Sequence, residues 1–245
     1  MKENPEKGRI FGLNIHRVTL DETMELIDNM VKQGGAHLVV TLGVEMIMRA
    51  QNDPEFANIV NEASLVVPDS VGVLWSCKKG GFALKERVPG VDILYSSARN
   101  REKYPWKVFF LGAKPGTAER AKEKIEKEFP GYQVVGTHHG YFREDREVID
   151  IIRDANPDIL FIALGSPFQE KWFMKNRHQL GDIVALGVGG SLDVVSGEAR
   201  RAPVFFQKMG LEWFYRLVTQ PARFKRMLVL PAFAIKVLIE GTDNK

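Results

Sequence analysis

Short apolar runs alternate along the chain with stretches whose apolar residues recur at helical spacing. RIFGLNI (9–15) predicts a strand. Thr19 and Glu22 follow as a capping-box pair and predict a helix over about 21–33. HLVVTL (37–42) predicts a second strand, with helical segments running on to about residue 62. SLVV (64–67) predicts a third strand, followed by helices over 70–78 and 89–101. WKVFFLG (106–112), YQVVGT (132–137), DILFIALG (158–165) and DIVALGVG (182–189) predict further strands. Helices are expected between them at 118–129, 143–155 and 168–178.

The inner strands are continuously apolar and rich in Val, Ile and Phe, as strands covered on both faces are. Strands alternating with helices predict an α/β fold: a doubly wound, mostly parallel, Rossmann-like sheet with a C-terminal helical appendage. SGEARRA (196–202) marks the expected boundary. It divides an α/β body, residues 1–199, from a basic appendage, residues 200–245.

In such sheets ligands bind beyond the carboxyl ends of the strands. Small or polar turns stand there: TLGVE (41–45), VPDSVG (67–72), LGAKPG (111–116), ALGSPFQE (163–170) and LGVGGS (186–191). Each glycine has an ordinary reading as a tight turn. Several such turns at helix starts point to a nucleotide or diphosphate. VVPDSVGV (66–73) adds an acid, Asp69, at the end of a buried strand. Asp69 has two readings, an N-cap for the helix starting near Ser70 or a general base on the floor of a strand-end cleft.

Composition changes this picture little. The chain has 245 residues, 44% hydrophobic and 27% charged, with a net charge of +3. That is enough for a large packed core and implies no polyanion partner. A single cysteine, Cys77, excludes an intramolecular disulfide and fits a reducing compartment. The polar start MKENPEKGR has no apolar signal core. MLVLPAFAI (227–235) falls short of the ~20 residues needed to span a bilayer. A cytosolic protein is expected.

Several chemistries lack their signatures. There is no G-x-x-x-x-G-K-[ST], and LGVGGSL lacks the third glycine of the dinucleotide fingerprint. No D-x-D, no zinc-spaced cluster and no G-x-S-x-G elbow is present, so no metal and no cofactor is expected. His138 and His139 read as a polar turn or a ligand contact. Glu170 reads as a partner of Lys171 or a helix cap.

Eight blocks, in order, carry a family resemblance: TLGVEMIMRAQ, VVPDSVGV, ERVPGVD, FLGAKPG, VVGTHHGYF, ALGSPFQEKW, ALGVGGSLDVVSGEARRAP and GLEWFYRLVTQPARFKRM. Over roughly residues 10–240 the chain resembles the WecG/TagA/CpsF glycosyltransferases (glycosyltransferase family 26), most of all the TagA-like N-acetylmannosaminyltransferases. The resemblance implies an inverting, metal-independent transfer from a UDP-sugar to a polyprenyl-diphosphate-linked GlcNAc at the inner membrane face. Such enzymes serve wall teichoic acid, enterobacterial common antigen, capsule or exopolysaccharide synthesis. It makes Asp69 the base that takes the acceptor's hydroxyl proton. It places Thr41, Arg87 and Gln169 in the substrate pocket. It also implies that arginines of the appendage, Arg216, Arg223 and Arg226, reach the cleft and bind the UDP diphosphate. Gly43 departs from the pattern, because TagA-like proteins commonly carry asparagine there; the donor sugar is therefore left open.

From Arg200 to Ile239 there are eight Lys or Arg and one acid, Glu212, interleaved with aromatic and aliphatic residues. This is the composition of an interfacial amphipathic helix on an anionic membrane surface, and also of a basic helix packed on the body. The resemblance favours membrane docking. No nucleic-acid motif accompanies the charge. The oligomeric state is open, a homo-oligomer included. A nucleotide-dependent oxidoreductase on a Rossmann-like sheet and a non-catalytic membrane scaffold are the competing readings.

Overall fold

The computed structural model describes residues 5–203, 205–206, 209, 211–219 and 228–242. Six strands form one parallel sheet: β3 (Ala36–Leu42), β4 (Leu65–Pro68), β5 (Lys107–Gly112), β6 (Gln133–His138), β7 (Ile159–Ala163) and β8 (Ile183–Gly187), in the order β4-β3-β8-β7-β5-β6. β4, β7 and β8 are buried at every position, which is why they read as unbroken apolar runs.

The expected single strand over 9–15 is instead an antiparallel hairpin, β1 (Lys7–Ile10) and β2 (Leu13–His16). Phe11 and Gly12 form its turn, with φ of 48° and 79°. Two consecutive positive φ values suit the right-handed twist of a two-residue hairpin. Ile10, Leu13 and Ile15 all point inward and are fully buried. The hairpin is pinned to β4 by the Val66 N–H, which donates to His16 Nδ1 at 3.0 Å. Burial lowers the His16 pKa, which favours this neutral, accepting ring.

Helices cover both faces. α2 (Val44–Ala50), α3 (Pro54–Glu62), α4 (Val71–Lys79), α7 (Asp145–Ala155) and α8 (Phe168–Leu180) pack on Leu38, Val40, Leu160 and Ile162. α1 (Leu20–Gln33), α5 (Gly90–Arg99), α6 (Thr117–Glu128) and α9 (Ser191–Ser196) pack on Val39, Phe110, Phe161 and Leu186. The Thr19–Glu22 capping box starts α1 as expected. The chain leaves β3 toward one face and its neighbour β8 toward the other. The crevice at their carboxyl ends is thus the switch point of the sheet, where ligands of such folds sit.

Among the described residues, α10 (Glu212–Thr219) and α11 (Val229–Glu240) follow toward the C-terminus. α11 lies against α2 and α4. Its Phe233 and Val237 are buried in the first of the two cores, and the Phe233 ring meets Phe11 edge-on at 5.9 Å. Ile235, Leu238 and Ile239 on the same helix are exposed.

Candidate active site

The carboxyl ends of β3, β4 and β8 bring four of the sequence-selected residues together. Asp69 follows β4 directly, and its N–H donates to Leu42 O at 3.0 Å. Ser70, not Asp69, is the N-cap residue of α4. The Asp69 carboxylate turns toward the first residue of α5, where Oδ1 accepts from the Gly90 N–H at 3.3 Å. A backbone donor on a rigid helix end thus fixes the orientation of this acid.

Gly43 stands on the other side of that carboxylate. A Cβ at Gly43 would lie 3.8 Å from Asp69 Oδ2, an ordinary contact, and its φ of −105° is open to any residue. Gly43 is also the N-cap position of α2, where asparagine is favoured. Gly43→Asn is therefore expected to fold at least as stably as wild type and to shift the choice of donor sugar. A gained hydrogen bond to a substrate group changes discrimination strongly. Equal kcat/KM of the two proteins on every UDP-sugar tested would remove the argument.

Thr41 is the next-to-last residue of β3, and its hydroxyl donates to Gly187 O on β8 at 2.8 Å. It ties the two strands across the switch point and leaves its oxygen lone pairs as acceptors. Gln169, in the first turn of α8, is only 3% exposed. Its Oε1 accepts from the Gly189 N–H at 3.2 Å, and its Nε2 donates to Glu170 Oε1 at 2.7 Å. Gly189 and Gly165 have φ of 50° and 78°, and a Cβ at either would meet nothing within 4 Å, so these two turns border open space. Gly112 differs: a Cβ there would meet Ala163 O at 2.5 Å, so its role is close strand packing.

Arg87 stands next to Val88, whose N–H donates to Pro68 O at 2.6 Å, just before Asp69. Its Nη1 lies 2.8 Å from Glu212 Oε2 of α10, with the two side chains 18% and 10% exposed. The pair is largely buried rather than a surface bridge, and it joins the C-terminal segment to the loop beside Asp69. Arg216 lies on α10, but its side chain is outside the described residues, as are Arg223 and Arg226 entirely.

Two expectations for minor residues are corrected. Lys171 does not pair with Glu170; it bridges to Asp53 and Glu55 at 2.9 and 2.5 Å. Glu170 lies 1% exposed beneath the Gln169 amide, a role that its place in the sequence did not reveal. His138 is the last residue of β6, its Nδ1 2.8 Å from His139 O, and His139 Nδ1 accepts from the Tyr141 N–H. Among the described residues, no group of three or more His, Cys, Asp or Glu side chains is placed to hold a metal ion. Burial pushes the Cys77 thiol to about 12, so it is no nucleophile. A groove of about 510 Å³ flanks the start of α8, lined by Phe142, Leu164, Phe168, Trp172, Lys171 and Lys175.

The chain is similar over most of its length to known proteins. The model of the glycosyl transferase WecG/TagA/CpsF family matches residues 8–245. The chain is 38% identical over 206 residues to the N-acetylglucosaminyldiphosphoundecaprenol N-acetyl-beta-D-mannosaminyltransferase of Bacillus spizizenii, covering 84% of this chain and 80% of that protein. To the enzyme of the same name from Bacillus subtilis it is 34% identical, covering 85% of this chain and 81% of the relative. To that of Staphylococcus aureus it is 30% identical, covering 96% of this chain and 94% of the relative. The chain therefore belongs to the WecG/TagA/CpsF family of glycosyltransferases.

Proposed function

We propose that this protein transfers N-acetylmannosamine, or a closely related sugar, from its UDP conjugate to a polyprenyl-diphosphate-linked GlcNAc, with inversion at the anomeric carbon. The observation that carries the assignment of the base is the Asp69 carboxylate, held by the Gly90 N–H beside the switch point and bordered by the small Gly43. Asp69 takes the proton of the acceptor hydroxyl as its oxygen attacks the anomeric carbon. The new C–O bond forms on one face while the bond to the UDP phosphate oxygen breaks on the other. UDP leaves with the electron pair of that bond. Arg87 and the arginines of the C-terminal segment supply positive charge to the leaving diphosphate. Thr41 and Gln169 contribute oriented polar atoms from the strand ends.

The acceptor lipid places the reaction at a membrane. No helix among the described residues is long and apolar enough to cross one. Exposed Trp213, Phe214 and Val218 on α10, with Ile235, Leu238 and Ile239 on α11, support peripheral docking on the inner face of the cell membrane.

The test is a panel of UDP-sugars against a polyprenyl-diphosphate-GlcNAc acceptor, with NAD and NADP titrated in parallel. Transfer from UDP-N-acetylmannosamine with inverted linkage is expected. Nucleotide-cofactor binding without transfer from any donor would favour the oxidoreductase reading instead. Turnover is also expected to persist in EDTA, because cationic side chains are assigned to the leaving group. Loss in EDTA with recovery on adding magnesium or manganese would contradict that assignment.

A further inference from the structure

Glu170 is a carboxyl group in a place where carboxyl groups are expensive. It is 1% exposed, and no ion pair reaches it among the described residues. Its neighbour Lys171 turns away to Asp53 and Glu55. Among the described residues its Oε2 is buried without a hydrogen-bond partner of good geometry, and the Ser166 hydroxyl stands nearby. Burial raises its pKa; the Gln169 amide and, more weakly, the Ser166 hydroxyl act in the opposite direction.

Its hydrogen bond to Gln169 Nε2, at 2.7 Å, has a consequence for the site. The end of a glutamine side chain rotates easily, and its two faces offer opposite chemistry, a donor on one and an acceptor on the other. Here both ends are fixed. The Gly189 N–H requires an oxygen, and Glu170 Oε1 holds the nitrogen. The third restraint is an absence of atoms: a Cβ on Gly187 would lie 2.4 Å from Gln169 Nε2 and 2.8 Å from Glu170 Oε1. Gly187 is the same residue whose carbonyl takes the Thr41 hydroxyl.

We propose that Glu170 is a positioning residue for sugar transfer, acting through Gln169. With Gly189 and the bare Gly187 it presents the Gln169 amide to the bound sugar nucleotide in one orientation. The amide's remaining N–H then serves as an oriented donor at the switch point. This rests on the transferase reading above.

The experiment measures kcat and KM for UDP-N-acetylmannosamine in wild type, Asp69→Asn, Gln169→Ala, Glu170→Gln, Glu170→Leu, Gly187→Ala and the double variant Gln169→Ala/Glu170→Leu. A misplaced substrate contact costs up to about 10²-fold, so Glu170→Leu is expected to lower kcat/KM by roughly 10- to 100-fold. Glu170→Gln, which keeps an acceptor for the Gln169 amide, is expected to recover most of that loss. The double variant should be no worse than Gln169→Ala, because the two residues act as one unit. Gly187→Ala, which displaces the amide from a different side, should lose activity to a similar extent. A folded Glu170→Leu protein with wild-type kinetics overturns the inference, as do additive losses in the double variant. If Glu170→Leu does not fold, wild-type kinetics of a folded Gly187→Ala, or a Glu170→Gln as impaired as Gln169→Ala, overturns it equally. Absence of transfer by wild type itself would remove the transferase reading, and this inference with it.

Discussion

Asp69→Asn is expected to lower turnover by about 10²–10⁴-fold, the usual loss with a positioned general base, while leaving the fold intact. The substitution keeps shape and keeps an oxygen for the Gly90 N–H, which Asp69 Oδ1 accepts at 3.3 Å. It places an amide where the other carboxylate oxygen faces Gly43, and that side is roomy, since even a Cβ there would stand 3.8 Å away. The melting temperature should therefore stay near wild type while product formation falls. The discriminating measurement pairs thermal unfolding with transfer to the lipid acceptor on one preparation. A protein that loses its fold, yet whose refolded fraction is fully active, would show Asp69 to be structural only. The same variant separates enzyme from scaffold, because a membrane scaffold would keep its function without this carboxylate.

The parallel sheet and its strand ends were legible because burial on both faces writes itself as unbroken apolar runs, β7 and β8 above all. Asp69 stood out for the same reason, as a charge following four buried positions. The hairpin at the N-terminus was not legible. Its turn uses Phe11 at a φ of 48°, a conformation that a bulky residue rarely signals, in place of an Asn-Gly pair. Glu170 was hidden for another reason. Its function depends on Gly187 and Gly189, which reach it only after the chain crosses from α8 to β8. The Arg87–Glu212 pair joins positions 125 apart in sequence, and no local pattern could announce it. Composition showed the basic and apolar character of the last helices, but not that Phe233 and Val237 turn inward.

Deleting residues after about 200 is expected to leave a folded α/β body with little transferase activity and weak liposome binding. The sheet and the helices on both of its faces lie before that point. The deletion nevertheless removes Phe233, packed edge-on against Phe11 at 5.9 Å, and Val237 from the core. Burying one such side chain is worth about 1.5–3 kcal/mol, so the body should melt several degrees below the full chain. Among the described residues, two ion pairs that tie the segment to the body go with it: Glu212 with Arg87 at 2.8 Å, and Arg201 with Asp92 at 2.5 Å. Arg87 then loses the partner that ties the pocket loop to α10, close to Asp69 in the chain fold. Loss of activity would thus have two sources, a disturbed Arg87 and the missing arginines. Point substitutions separate them. Alanine at Arg223 or Arg226 should lower turnover while keeping most liposome binding, because the exposed Ile235, Leu238 and Ile239 remain to bury apolar surface. Guanidinium groups suit a leaving diphosphate, since they stay charged and bind phosphate oxygens as a fork. Transfer by the truncated body to a lipid acceptor at the full-length rate would refute a catalytic role for the C-terminal segment.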